Sequence, residues 1–145
     1  RTIFQLVDGS VDEFRDEAGV DTSENANAAY DATSDLYSNP TTTMTVISDT
    51  FTAQTVPTKA RIVVFAELPD GTGDFVVSAT RDNSTFNTIT LTDEGFQAGS
   101  SGLKIFSGSA TLTGTGSPQV ALRWKVVGSG LSGTNKIHGV ALQWA

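Results

Sequence analysis

The sequence predicts an all-β chain: an antiparallel β-sandwich, jelly-roll-like, over residues 41–145, preceded by an irregular acidic arm over residues 1–40. Three observations predict it. Apolar and polar residues alternate with a period of two in several short runs, the side-chain period of a strand with one face in a core. Gly, Pro, Asp, Asn and Ser separate these runs at intervals suited to about seven to nine short strands. No segment carries the apolar stripe, at three- and four-residue spacing, that would hold a helix against a core.

Taken in order, residues 1–10 open with Ile3, Phe4, Leu6 and Val7, apolar enough for a strand or for contact with a neighbouring chain. Residues 11–40 then turn to Asp, Glu, Ala, Asn, Ser and Thr, and their large apolar residues Phe14, Val20, Tyr30, Leu36 and Tyr37 follow neither period. Ser23 with Glu24 after it is a helix-cap pattern for residues 23–29, but no apolar face follows to bury. The segment therefore reads as an ordered, irregular arm, pinned by its few large side chains to the domain or to another chain, and Asn39-Pro40 punctuates its end.

Residues 44–51 are rich in Thr and β-branched side chains and read as a strand. Residues 59–68 place Ile62, Val64, Ala66 and Leu68 on one side and Val63 and Phe65 on the other, which predicts a central strand buried on both faces. Pro69-Asp70-Gly71 is a turn. Residues 73–95 read as a hairpin. Phe75, Val77 and Ala79 alternate with Val76, Ser78 and Thr80; a tight turn follows at Arg81-Asp82-Asn83-Ser84; then Ile89 and Leu91 face away from Thr88 and Thr90. After a Gly- and Ser-rich loop at residues 97–102, residues 103–112 form the next strand, and residues 113–117 a flexible link. Residues 118–127 put Val120, Leu122, Trp124 and Val126 inward, leaving Ala121, Arg123, Lys125 and Val127 toward water or an interface. After a loop at residues 128–134, the last strand aligns His138, Val140, Leu142 and Trp144, so both Trp124 and Trp144 are expected in the core.

A chain of 145 residues suits one domain with a single core. It has no cysteine, so neither disulfides nor thiolate metal sites contribute. The net charge of −7 lies wholly in the first forty residues, which hold nine acids against Arg1 and Arg15; the remainder is balanced. That charge pattern excludes a basic nucleic-acid surface. No apolar run approaches the length of a membrane span, and there is no signal-peptide pattern, so membrane insertion is not expected. The start at Arg1 reads as a piece of a longer or processed protein.

Little in the chain invites catalysis, and no catalytic, cofactor or metal residue is assigned. His138 is the one histidine and, without partners at motif spacing, reads as structural. Asp93 and Glu94 are adjacent, so in extended chain they point to opposite faces and form no facing acid pair, and they read as a solvated turn. Asp12, Glu13, Asp16, Glu17 and Asp21 supply enough oxygens for calcium but lack the spacing of an EF-hand loop, and read as solvated charge. Tyr30, Tyr37 and Phe96, placed in loops by this reading, offer rings that stack on sugars or pack beneath the loops.

The run Ser78-Ala79-Thr80-Arg81-Asp82-Asn83-Ser84-Thr85-Phe86, followed by Thr90-Leu91-Thr92-Asp93-Glu94-Gly95, resembles a segment of tailed-phage virion proteins, in C-terminal β-sandwich domains of tail-fibre type. Asn83-Ser84 stands where that family often has two glycines. Val11-Asp12-Glu13-Phe14 through Gly19-Val20-Asp21-Thr22, with Asn27-Ala28-Ala29-Tyr30-Asp31, is similar to the family's acidic lead-in, and residues 136–144 to its closing strand. The resemblance implies a non-enzymatic virion structural protein of tail fibre, spike or capsid-decorating fibre, assembled in the bacterial cytoplasm with other virion proteins and in contact with the host surface. The alternative function is a carbohydrate-binding module for cell-surface glycan. Fibre proteins of this kind are threefold, which implies a homotrimer. The arm would then lie along a neighbouring copy, burying Phe4, Phe14, Tyr30 and Tyr37 and meeting Arg123 and Lys125.

Overall fold

The computed structural model describes residues 8–99 and 102–145, so Ile3, Phe4, Leu6 and Val7 lie outside the described residues. These contain strands and no helix: β1 (Asp8–Asp12), β2 (Ala29–Asp31), β3 (Leu36–Ser38), β4 (Met44–Ile47), β5 (Phe51–Thr52), β6 (Lys59–Glu67), β7 (Phe75–Thr80), β8 (Asn87–Ile89), β9 (Thr92–Phe96), β10 (Lys104–Thr111), β11 (Ala121–Gly128) and β12 (Lys136–Trp144). A seven-stranded sheet runs β2-β3-β12-β6-β10-β9, with β1 also on β12; a five-stranded sheet runs β4-β11-β7-β8, with β5 also on β11. From β6 onward the chain passes repeatedly between the sheets, and every strand pair is antiparallel. This is a jelly-roll-type sandwich.

One core lies between the layers. It joins Ile62, Val64, Phe106, Val140 and Leu142 of the larger sheet to Val46, Val77, Leu122, Trp124 and Val126 of the smaller. Trp124 and Trp144 are buried, as their alternation predicts. β6 is central, between β12 and β10, but buries only the face of Ala60, Ile62, Val64 and Ala66; Arg61, Val63, Phe65 and Glu67 form a half-buried outer row.

The hairpin forms through Val77↔Ile89, Ser78↔Thr88 and Ala79↔Asn87. Its connection, residues 81–86, is longer than the expected tight turn because Asp82 folds inward. The Asp82 carboxylate accepts from the Thr80 hydroxyl and from the amides of Ser84 and Thr85, and across the fold from the amide of Gly116. Burial by itself would raise this carboxyl, but the amides of Thr85, Gly116 and Ser84 with the Thr80 hydroxyl outweigh it and hold the group well below the usual carboxylate range. Asn83 follows at a φ of 60°, a left-handed position that Asn tolerates. Beyond Ile89 the second limb leaves for β9 in the other sheet.

Residues 8–40 depart most from expectation. β1 pairs with β12 from Asp8↔Trp144 to Asp12↔Val140, β3 with its Lys136 and Ile137, and Tyr30 with Tyr37 across β2 and β3. Strands from both sides of Pro40 thus share one sheet. Residues 21–25 form a turn, not a helix, and bridges Val20↔Ser48 and Ala26↔Thr45 fasten the segment to β4. Phe14 is fully buried, edge-on to Tyr37 at 5.0 Å and 6.2 Å from Trp124 between centroids. Of the large side chains expected to need a neighbouring copy, Phe14, Tyr30 and Tyr37 find their surface within the same chain, and Phe4 lies outside the described residues.

Arg123 is a second correction. It points away from the inner core, opposite Thr80, as alternation predicts, yet is only 4% exposed. The acidic segment covers it: Nε donates to Ser48 O at 2.8 Å, Nη1 to Asn83 Oδ1 at 2.8 Å, and Nη2 to Asp21 Oδ2 at 3.0 Å and Glu24 Oε2 at 2.9 Å. Lys125 lies 4.1 Å from the Phe86 ring centroid.

Candidate functional site

Alternation along β6 sends Phe65 and Glu67 to the outer face of the larger sheet. Phe65 pairs with Gly139 on one side and Ile105 on the other, and Glu67 with Lys136. On β12 the register shifts between Ile137 and Gly139. That bulge takes His138 off the inner row of Val140, Leu142 and Trp144, where simple alternation had placed it, and its Nε2 meets Glu67 Oε2 at 2.7 Å.

Depressions lie on either side of this pair. The larger, about 630 Å³, wraps round the end of the sheet: Glu67 and Lys136 belong to the outer row, whereas Lys104 and Phe106, opposite Ala66 and Val64, and Asp93, opposite Phe106, belong to the inner side. The second, about 400 Å³, includes Val11, Glu13, Asp35, Phe65, Gln97 and His138. Phe96, 66% exposed at the end of β9, is next to the larger one only, with the ammonium of its lining residue Lys104 5.0 Å from the Phe96 ring centroid. Lys104 also holds Asp93 at 2.7 Å; that bond, with the Gly95 amide, keeps the Asp93 carboxyl below its ordinary range. Glu94 points the other way and accepts from the Ser107 hydroxyl. Asp93 and Glu94 lie on a strand, not in a turn, and diverge as extended chain requires.

The surface therefore combines aromatic and aliphatic patches with planar polar side chains. Such a lining holds a ligand that has both an apolar face and several hydrogen-bonding groups. Within the larger depression, Asp93 and Glu67 are each already bonded to a base, Lys104 and His138.

The other sequence candidates scatter. Tyr30 and Tyr37 are strand residues whose hydroxyls donate to Phe14 O and Glu17 Oε2, both at 2.7 Å. Burial, reinforced by Glu17, pushes the Tyr37 phenol far up. The acids of residues 12–21 separate: Glu13 pairs with Arg15, Asp16 accepts from the Ala18 amide, Glu17 serves Tyr37 and Asp21 serves Arg123. Asp12 faces inward, accepts from the Phe14 amide through Oδ1, and keeps a buried Oδ2 without a partner. Burial pushes its carboxyl up. Among the described residues no three His, Asp or Glu side chains converge on a metal position. Phe65, Glu67 and Lys136 were not singled out from sequence, although the alternation over residues 59–67 already puts Phe65 and Glu67 on one face.

No family model matches the sequence, and no curated protein matches it. Among solved structures, the chain is similar to a carbohydrate-binding module with specific mannan recognition, at TM-score 0.51 and 14% identity over 97% of each chain. It is similar to part of a family GH115 4-O-methyl-α-glucuronidase with specificity for decorated arabinogalactans, at TM-score 0.48 and 11% identity, covering 95% of this chain and 17% of that one. It is also similar to part of tailspike protein 4 of bacteriophage CBA120, at TM-score 0.44 and 11% identity, covering 94% of this chain and 19% of that one. At such identities a likeness speaks to fold alone. The chain has the jelly-roll-type β-sandwich fold that a carbohydrate-binding module also has.

Proposed function

We propose that the protein is a non-catalytic glycan-binding module whose ligand lies across the outer face of the larger sheet. The observation that carries the reading is the outer-face depression beside Glu67–His138, which includes Phe65 and Gln97, with the larger depression continuing from Glu67 round the end of the sheet. Sugar rings present apolar C–H faces that pack on aromatic rings and hydroxyls that bond to side chains such as Gln97, Glu13 and Thr134. The fold shared with a mannan-recognising module gives the reading its direction. Affinity electrophoresis through mannan, xylan, arabinogalactan and bacterial surface polysaccharides tests it. Retardation by at least one is expected, weakened about tenfold in Phe96→Ala, a loss of about 1.4 kcal/mol. Free migration through every polysaccharide contradicts it.

A second reading, a tail-fibre or spike component of a phage virion that contacts host glycan, is compatible with the first. It is favoured by where the phage-like segments fall: Val11 and Glu13, Asp93, and Lys136 and His138 line the same depressions. Virion localisation and a homotrimer belong to this reading and now rest on the resemblance, since Phe14 and Tyr37 are buried in cis. Sedimentation of the full chain tests the assembly: a trimer supports it and a monomer removes it.

A further inference from the structure

We propose, on the reading that the outer face binds glycan, that the ligand is the uncharged interior of a polysaccharide chain, about three consecutive sugar units of which cross the strands between Val11 and Gln97. The lining of the outer-face depression runs across the sheet and not along a strand. Val11 stands on β1, Gly139 on β12, Phe65 on β6 and Leu103 just before β10, in the order in which these strands pair. Three interstrand gaps of about 4.8 Å, roughly 14 Å together, separate Val11 from Leu103. Gln97, whose amide donates to Leu103 O, extends the line by one strand more. A sugar ring is about as long as one gap, so a single unit covers part of this line and about three fill it. Phe65 lies in the middle, where a C–H face packs on its ring. The two end residues, Val11 and Gln97, are both exposed, so a polymer can run on past either end.

Charge decides which polymer. Glu13 and Asp35 line the depression against one base, His138, whose Nε2 already meets Glu67 at 2.7 Å. Arg15 answers Glu13 at 3.2 Å, but Asp35 has no hydrogen bond or ion pair among the described residues. Lys104 and Lys136 line the other depression. A uronate or phosphate on the bound stretch therefore meets like charge without a free base to offset it, whereas a neutral hydroxyl donates to either carboxylate.

The test is titration of the full chain, followed by amide shifts in proton–nitrogen NMR. The probes are oligosaccharides of graded length, from the single sugar to the hexasaccharide, of mannan, xylan, arabinogalactan and bacterial surface polysaccharide, with the C6-oxidised uronate form of each hexose trisaccharide. Affinity is expected to rise at least about tenfold from one unit to three and less than about twofold from four to six, with the trisaccharide shifting both Val11 and Gln97. Oxidation of the trisaccharide is expected to weaken binding at least about tenfold, and a Glu13→Gln, Asp35→Asn double variant to recover at least about threefold of that loss. Neither position is in the core, and Asn tolerates the left-handed φ of 54° at position 35. A single sugar that binds as tightly as the trisaccharide overturns the inference and leaves outer-face binding standing. So does an oxidised form that binds as tightly as the neutral one, or whose loss the double variant does not recover. Free migration through every polysaccharide overturns the functional reading and this inference with it.

Discussion

At Arg123 the structure reverses the expectation of a base left toward water or an interface. Its guanidinium serves a backbone carbonyl, an amide oxygen and two carboxylates while nearly closed to water. Removing it strands those acceptors, so Arg123→Ala is expected to lower unfolding free energy by about 3 kcal/mol in denaturant titration. Glu24→Gln should change it by less than about 1 kcal/mol, because Glu24 is half exposed and water replaces the bond. Asp82→Ala is expected to cost about 2–3 kcal/mol, since the amides of Ser84, Thr85 and Gly116 lose their acceptor together. Alternation gave the direction of Arg123 correctly. What it could not show is that residues 21–24 return to cover it, a contact between positions about one hundred residues apart in the chain. His138 was misplaced for a local reason, because a bulge breaks the period of two without an obvious residue signal.

Among the elements, the turn at residues 68–71 and the loop at residues 131–135 frame the larger depression and are joined by Asp70. The Ser132 hydroxyl, the Asn135 amide and the Gly133 amide lower the Asp70 carboxyl from 3.8 to about 2. A carboxyl lowered by folding stabilises the protein fully above its unfolded value and loses that contribution as pH falls through the folded one. Wild type should therefore melt above Asp70→Asn at neutral pH, with the gap constant down to about pH 4 and closing toward pH 2. A gap that stays constant to pH 2 would contradict the linkage. The acidic segment is the other element with a consequence. A chain beginning at Thr41 lacks β1, β2 and β3 as well as Phe14 and Tyr37, and is expected to show no cooperative thermal transition. Strands β6, β11 and β12 were legible because each repeats its alternation at least three times. Those before residue 40 were not, because three-residue strands such as β2 and β3 are too short to display a period and take their form from β12.

For the whole molecule, two sheets enclose one core and leave the larger sheet's outer face as a surface of mixed aromatic and polar character. The sandwich was readable in the sequence from its alternation and turns; the site was not, because it assembles from β1, β6, β9 and β12 and from loops far apart in the chain. Concentration of negative charge before residue 40 was visible, but its use in covering Arg123 within the same chain needed the fold. The central claim is that glycan lies on the outer face around Glu67 and His138. Mapping of backbone amide shifts during titration with an oligosaccharide from whichever polysaccharide retards the protein tests this most directly. The account predicts that the largest shifts fall in residues 63–67, 94–97 and 136–141; shifts concentrated on the smaller sheet, around Val76, Thr88 and Lys125, would contradict it.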